Sequence, residues 1–155
     1  MSERTRIGWV DDSGNAAAGC SEALLADGTM SKECLNCYAR LGSARLPLMM
    51  RAGSPTPRKE RVANLYNGTA VRTPRGARWT GVLRWDRDML RLIFLGARPG
   101  QILFPGSMTD LWHADHDPAL GVELATLIRG LTARPREIQP RGVVMLTKRA
   151  ERQLA

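Results

Sequence analysis

From residue 79 onwards, short apolar runs alternate with helix-forming segments, and this alternation restricts the fold more than any other feature. The two helices in this part begin at the predicted N-cap residues Asp86 and Asp117. The apolar runs are continuous rather than alternating in polarity, which is typical of parallel strands buried on both faces. The sequence therefore predicts an α/β fold with a parallel sheet of about four strands. The predicted strands are residues 6–10, 79–84, 101–105 and 142–147.

Polar side chains follow these predicted strands. In parallel α/β sheets, ligands bind where the strands end at their carboxyl termini. We therefore expect one edge of the sheet to carry a site, with Ser107, Asp110 and Lys148 as its catalytic candidates. Thr147 and His113 are weaker candidates at the same edge.

Three cysteines, Cys20, Cys34 and Cys37, are the only ones in the chain and fall within eighteen consecutive residues. Cys34 and Cys37 form a C-x-x-C pair at the start of a predicted helix over 32–50, with Ser31 as its N-cap. The chain has no signal peptide pattern and no apolar run long enough to span a membrane, which predicts a cytosolic location. Because a reducing cytosol disfavours disulfides, the cysteines are interpreted as metal ligands.

Three cysteine ligands leave two metal chemistries open, besides the alternative of free buried thiols. A 4Fe-4S cluster held by three thiolates keeps one iron open for a further ligand. A zinc ion would normally take a fourth ligand, for which His113 and His116 are the candidates. The second chemistry predicts a zinc-binding, nucleic-acid-associated module.

The net charge is +8, and most of the excess lies in residues 51–78, which contain seven arginines and lysines and one acidic residue, Glu60. A basic surface of this kind can bind nucleic acid through its phosphates. The alternative is a solvated basic loop. Because glycines and prolines recur through it, residues 53–78 are predicted to be an irregular basic insertion within a single domain over 1–155.

Three blocks of sequence resemble a phage-associated, radical-SAM-like family with a three-cysteine motif, catalogued mostly as a domain of unknown function. The first block is Ile7–Asp11, followed by Gly19-Cys20 and by Cys34–Ala39. The second runs from Phe104 to His113, and the third from Leu146 to Arg152. The blocks occur in the family's order and cover most of the chain, apart from residues 53–78.

The resemblance implies a 4Fe-4S cluster on the three cysteines and S-adenosylmethionine as cosubstrate, with Tyr38 and Thr147 near the cofactor. Electron transfer from such a cluster cleaves the sulfonium of the cosubstrate, but the resemblance specifies no reaction. It also implies a partial (half) TIM-like radical SAM barrel. A complete barrel needs about 250 residues, so we expect a truncated chain that forms a homo-oligomer, joins a second-half chain, or is a non-catalytic remnant.

Overall fold

A computed structural model describes residues 12–22 and 27–145, in which the chain forms two compact units. Of the described residues, the first unit contains 12–16, 85–107 and 111–145, and the second contains 17–22, 27–84 and 108–110. In chain order the elements are β1 (Asp12–Ser13), β2 (Ala17–Ala18), α1 (Lys32–Leu35), α2 (Tyr38–Arg51), α3 (Pro57–Tyr66), β3 (Ala70–Thr73), β4 (Gly76–Trp79), β5 (Arg84–Trp85), α4 (Arg87–Leu95), β6 (Ile102–Phe104), α5 (Pro118–Thr132), a 3-10 helix (Arg136–Ile138) and β7 (Gly142–Val143).

The first unit is built on a three-stranded sheet in the order β1-β6-β7, and both pairings are parallel. The central strand, β6, is the apolar run that the sequence predicts at 101–105, and its Leu103 and Phe104 are buried. β7 corresponds to the beginning of the strand predicted at 142–147. The predicted first strand at 6–10 and the helix expected from Lys148 lie outside the described residues.

Helices α4 and α5 belong to the same unit and begin at the two N-cap residues that the sequence predicts. The carboxylate of Asp86 accepts a hydrogen bond from the Met89 amide at 3.0 Å, and that of Asp117 accepts one from the Ala119 amide at 2.9 Å. These bonds satisfy backbone donors that have no partner within the helix. Across the two helices, Glu123 of α5 forms an ion pair with Arg91 at 2.6 Å.

The second unit contains the segment that was predicted to be irregular, and the structure differs from that prediction. Residues 57–66 form α3, which Thr56 caps by accepting a hydrogen bond from the Lys59 amide at 3.2 Å. β3 and β4 then form an antiparallel hairpin with a two-residue turn, in which Ala70 lies opposite Trp79. The glycines and prolines of this segment mark the boundaries between short elements, and Pro57 itself starts a helix.

The helix predicted over 32–50 is divided in two. Ser31 caps α1 as expected, because its hydroxyl accepts a hydrogen bond from the Cys34 amide. The helical path breaks at Asn36 and Cys37, after which α2 continues to Arg51 with Pro47 inside it. Pro47 has no amide hydrogen to donate to the helix backbone. Because it lies only four residues before the end of α2, the missing hydrogen bond affects only the last part of the helix.

The structure also differs from the prediction of a single strand at 79–84. Trp79 ends the antiparallel strand β4, whereas Arg84 begins β5. The protein is therefore a mixed α/β fold with short strands, and its parallel sheet lies in the first unit. Within the described ranges, no helix is long and apolar enough to cross a membrane.

Leu103 is buried on the central strand of the parallel sheet, so truncation of its side chain tests this fold. We expect Leu103→Ala to lower the free energy of unfolding by about 2–5 kcal/mol, because it removes a buried side chain from the central strand. The matched control is Leu92→Ala on α4, whose side chain is exposed and whose loss should change stability by about 0.5 kcal/mol or less. Urea unfolding of both variants measures the difference, and equal effects would contradict this arrangement.

Candidate functional site

The three cysteines lie on three neighbouring pieces of the second unit. Cys20 follows β2, Cys34 belongs to α1, and Cys37 is the N-cap residue of α2. Cys20 and Cys34 are buried, Cys37 is half-buried, and none of the three is in a disulfide. The chain thus keeps three cysteines out of disulfides in protected positions, and the positive end of the dipole of a 14-residue helix lies at Cys37.

Two of the thiols share one apolar cluster, although they lie seventeen positions apart in the sequence. Cys20 is part of this cluster and Cys37 packs against it. Small residues from α2 and the hairpin surround them and allow close packing. The other members are Ala39, Ala44, Ala70, Ala77 and Trp79, with Leu41 and Met108 packed against them.

Cys34 is not a member of this cluster, although it is buried. Within residues 12–22 and 27–145, no three side chains of the His, Cys, Asp and Glu types form a group that could hold a metal ion. The donor set fits a thiolate-bound metal in its chemistry, because none of the three cysteines is in a disulfide. In geometry, Cys20 and Cys37 share one apolar cluster that does not include Cys34.

Gly19 determines the path of the backbone immediately before Cys20. Gly19 has a φ of +99°, and a β-carbon added to it would overlap the carbonyl oxygen of Val82. Side chains other than glycine rarely adopt this backbone conformation. The backbone next to Cys20 therefore passes directly against the chain at residue 82.

The segment 108–110 contacts the cysteine region. Thr109 donates a hydrogen bond from its hydroxyl to the carbonyl of Gly19 at 2.8 Å. Met108 packs on the thiol cluster, and its methyl group lies where a β-carbon of Gly42 would be. The only signal in the sequence was the position of both residues between Ser107 and Asp110, in the second block of the family resemblance.

Arg40 of α2 holds the loop between the first two cysteines. Its guanidinium forms an ion pair with Glu22 at 3.2 Å, contacts the sulfur of Met30 at 3.6 Å and donates to the carbonyl of Leu35 at 3.3 Å. These partners come from both ends of the loop and from α1. One side chain thus ties the segments that contain Cys20 and Cys34 to the helix that follows Cys37.

The other predicted site residues are distributed over both units. Asp110 is buried in the second unit, whereas Ser107 is half-buried in the first, where its hydroxyl accepts a hydrogen bond from the Asn15 amide at 3.0 Å. Tyr38 opens α2 with an exposed side chain. Thr147 and Lys148 lie outside the described residues.

The two candidate zinc ligands belong to the first unit. His113 and His116 are both buried, and their rings pack edge to face with centroids 6.2 Å apart. Nδ1 of His113 accepts a hydrogen bond from the Asp115 amide at 3.2 Å. These contacts give both histidines a role in the packing of their own unit.

Tyr66 of α3 is the buried phenol of the second unit. Burial raises the pKa of Tyr66 above its ordinary value, and the charge on Tyr38 raises it further. The phenol of Tyr66 therefore stays protonated at neutral pH and cannot act as an anionic ligand.

A protein-family model described as a protein of unknown function (DUF5131) matches residues 4–155, which is nearly the whole chain. No curated protein and no solved structure matches the chain.

The close approach at Gly19 predicts a specific sensitivity to substitution. Gly19→Ala should lower the free energy of unfolding by about 2–4 kcal/mol, because it adds a clash with Val82 to the strain of a positive φ. Gly81→Ala is the matched control, since Gly81 also has a positive φ but has open space around it. It should cost about 1–2 kcal/mol. Thermal unfolding measures the loss of stability in the two variants. Equal losses would show that the close approach to Val82 does not add to the cost of the Gly19 substitution.

Proposed function

The chain belongs to DUF5131, a family of unknown function, and from its three cysteines and the resemblance of its sequence blocks we propose that it is an iron–sulfur protein of the radical S-adenosylmethionine type. Its ligands are Cys20, Cys34 and Cys37, and its substrate is nucleic acid. The observation that carries this proposal is the shared packing of Cys20 and Cys37, two cysteines from distant positions in the sequence that form no disulfide. Soft thiolate ligands select iron–sulfur clusters, copper(I) or zinc over hard cations.

Cluster binding requires Cys34 to join the other two thiols. Metal sites commonly form as the ligands lose their protons and gather around the metal, so the apo arrangement need not be the loaded one. Cys34 lies in α1, which has only four residues and is therefore the helix here with the least cooperative stability. We infer that α1 is the element that moves when the cluster binds.

Residues around the cysteines would then bind the cosubstrate. When bound, the cluster would supply an electron to the sulfonium of S-adenosylmethionine. The exposed ring of Tyr38, next to Cys37, is suited to stack on the adenine, and the buried carboxylate of Asp110 to accept hydrogen bonds from the cosubstrate. On the family resemblance alone, we also propose Ser107 and Lys148 as catalytic residues and Thr147 as a cofactor-binding residue.

The architecture that accompanies this proposal is a partial TIM-like barrel. The parallel pairing of β1, β6 and β7 supports it, since barrels of this type consist of parallel strands. Ser107 lies a few residues beyond the carboxyl end of β6, the central strand of this sheet, which is where such barrels carry their sites.

The proposal predicts the result of anaerobic reconstitution with iron and sulfide. The chain should bind about four irons and four sulfides and show the broad visible absorption of a thiolate-bound cluster. Cys20→Ser, Cys34→Ser and Cys37→Ser should each lose most of the iron. Ser21→Ala, next to Cys20, is the matched control and should retain it.

Iron and zinc analysis of the same samples decides between the two metal chemistries. One zinc per chain with no bound iron would contradict the proposal and support the zinc-binding alternative. Retention of iron by the Cys34→Ser variant would contradict the assignment of Cys34 and the movement of α1.

A second prediction separates cosubstrate binding from cluster binding. Asp110→Asn should keep the iron content of the unaltered chain but weaken the binding of S-adenosylmethionine about tenfold or more, because it removes a buried negative charge that accepts hydrogen bonds. Isothermal titration of the reconstituted protein measures this. Unchanged binding would remove Asp110 from the site, and loss of the iron would assign it to cluster retention.

A further inference from the structure

The β3–β4 hairpin has one face in the thiol cluster and an exposed basic face. Along β4, Ala77 and Trp79 are buried while Arg78 between them is exposed. Neighbouring residues of a strand point to opposite faces, so Arg78 and its cross-strand partner Val71 form the outer face. Arg75 lies in the turn and Arg72 near it, and both are exposed.

The three hairpin arginines have no side-chain partner among the residues that the structure describes. Arg72, Arg75 and Arg78 make no ion pair and no side-chain hydrogen bond with any described residue. In the first unit, by contrast, Arg87 and Arg91 both pair with Glu123, at 3.3 and 2.6 Å. The hairpin arginines are therefore not neutralised by the fold.

The sequence around the hairpin offers almost no opposite charge. Residues 40–84 contain ten arginines and lysines but only one acidic residue, Glu60. Some of these cations have structural roles: Arg40 pairs with Glu22, and Lys59 donates to the carbonyls of Ala52 and Ser54. The three hairpin arginines have no such role and remain as a surface for an external anion.

We propose that the turn end of the β3–β4 hairpin binds the phosphodiester backbone of nucleic acid through Arg78 on the outer face, Arg75 in the turn, and Arg72, which lies opposite Ala77 but is exposed next to the turn. The planar guanidinium group matches a phosphate with two parallel hydrogen bonds, which a lysine cannot provide. The only aromatic residue of the hairpin, Trp79, is buried, so its ring is not exposed for base stacking. Val71 is the only exposed large apolar residue of the hairpin, too little to insert into a membrane.

This inference deepens the proposed function, because it locates the nucleic acid that the iron–sulfur protein would act on. The inner face of the same hairpin contributes Ala70, Ala77 and Trp79 to the cluster that contains Cys20. A nucleic acid on the outer face would be separated from the thiols by a single two-stranded layer.

The test measures binding of labelled single-stranded and double-stranded DNA and RNA by fluorescence anisotropy over a range of salt concentrations. The variant R72Q/R75Q/R78Q should lower the affinity about tenfold or more at low salt. It should also reduce the slope of log affinity against log salt by about two to three, one for each lost phosphate contact. The affinities for single-stranded and double-stranded DNA and RNA show which type of nucleic acid the hairpin prefers.

The matched control removes the same charge from the other unit. R129Q/R136Q/R141Q replaces three exposed arginines whose side chains also lack partners among the described residues. Apart from a general charge effect, this variant should bind nucleic acid within about twofold of the affinity of the unaltered chain. Equal losses in the two triple variants would overturn the proposal, since net charge alone would then explain binding. R72K/R75K/R78K keeps the charge and should recover part of the affinity.

Two further measurements separate the alternatives. Titrations with anionic lipid vesicles and with polyglutamate should show weaker binding than nucleic acid, and the reverse order would overturn the assignment. Iron-free protein should bind nucleic acid as well as reconstituted protein does, because the arginines do not depend on the cluster. Binding without any iron uptake would support this surface while contradicting the iron–sulfur proposal, so the two failures are distinguishable.

Discussion

The second unit depends on the close packing of α2 against the β3–β4 hairpin. Alanines at positions 39, 44, 70 and 77 belong to this contact, and their small side chains let the helix and the ribbon approach each other. Close-packed interiors tolerate changes in volume poorly, so the space occupied by the thiols of Cys20 and Cys37 is part of the packing itself. The thiols are therefore held by the same contacts that hold the hairpin, and a ligand at the sulfurs would act directly on that packing.

The backbone next to Cys20 is constrained from two further directions. Gly19 passes against Val82 without room for a side chain, and its carbonyl accepts the hydrogen bond of Thr109. Arg40 restrains the loop on the other side of Cys20 through Glu22. Cys20 is thus pre-positioned, whereas Cys34 lies on a single helical turn. Such an arrangement resembles a site with two fixed positions and one adjustable position, in which the metal itself would complete the geometry.

Local signals in the sequence predicted the elements that depend on neighbouring residues. Ser31, Asp86 and Asp117 were identified as N-caps because capping needs only one side chain and the next turn of helix, and β6 was recognised from its continuous apolar run. The hairpin was missed because its pairing depends on the fit of Ala70 and Ala77 to α2, which a list of glycines and prolines does not reveal. Likewise, the contact of Thr109 with Gly19 joins residues 90 positions apart, and no spacing rule predicts it. The clustering of three cysteines pointed to the site, but only the packing separates Cys34 from the other two.

The hairpin turn at Pro74 and Arg75 contains only two residues, and its length has a consequence for both faces of the ribbon. Side chains alternate along a strand, so a change of register by one residue exchanges its two faces. If one residue were inserted after Arg75 and the turn still contained two residues, β4 would move by one position. Arg78 would then lie on the face that packs in the thiol cluster, and Trp79 would face solvent. The separation of cations from thiols is therefore determined by the number of residues in the turn as much as by their identity.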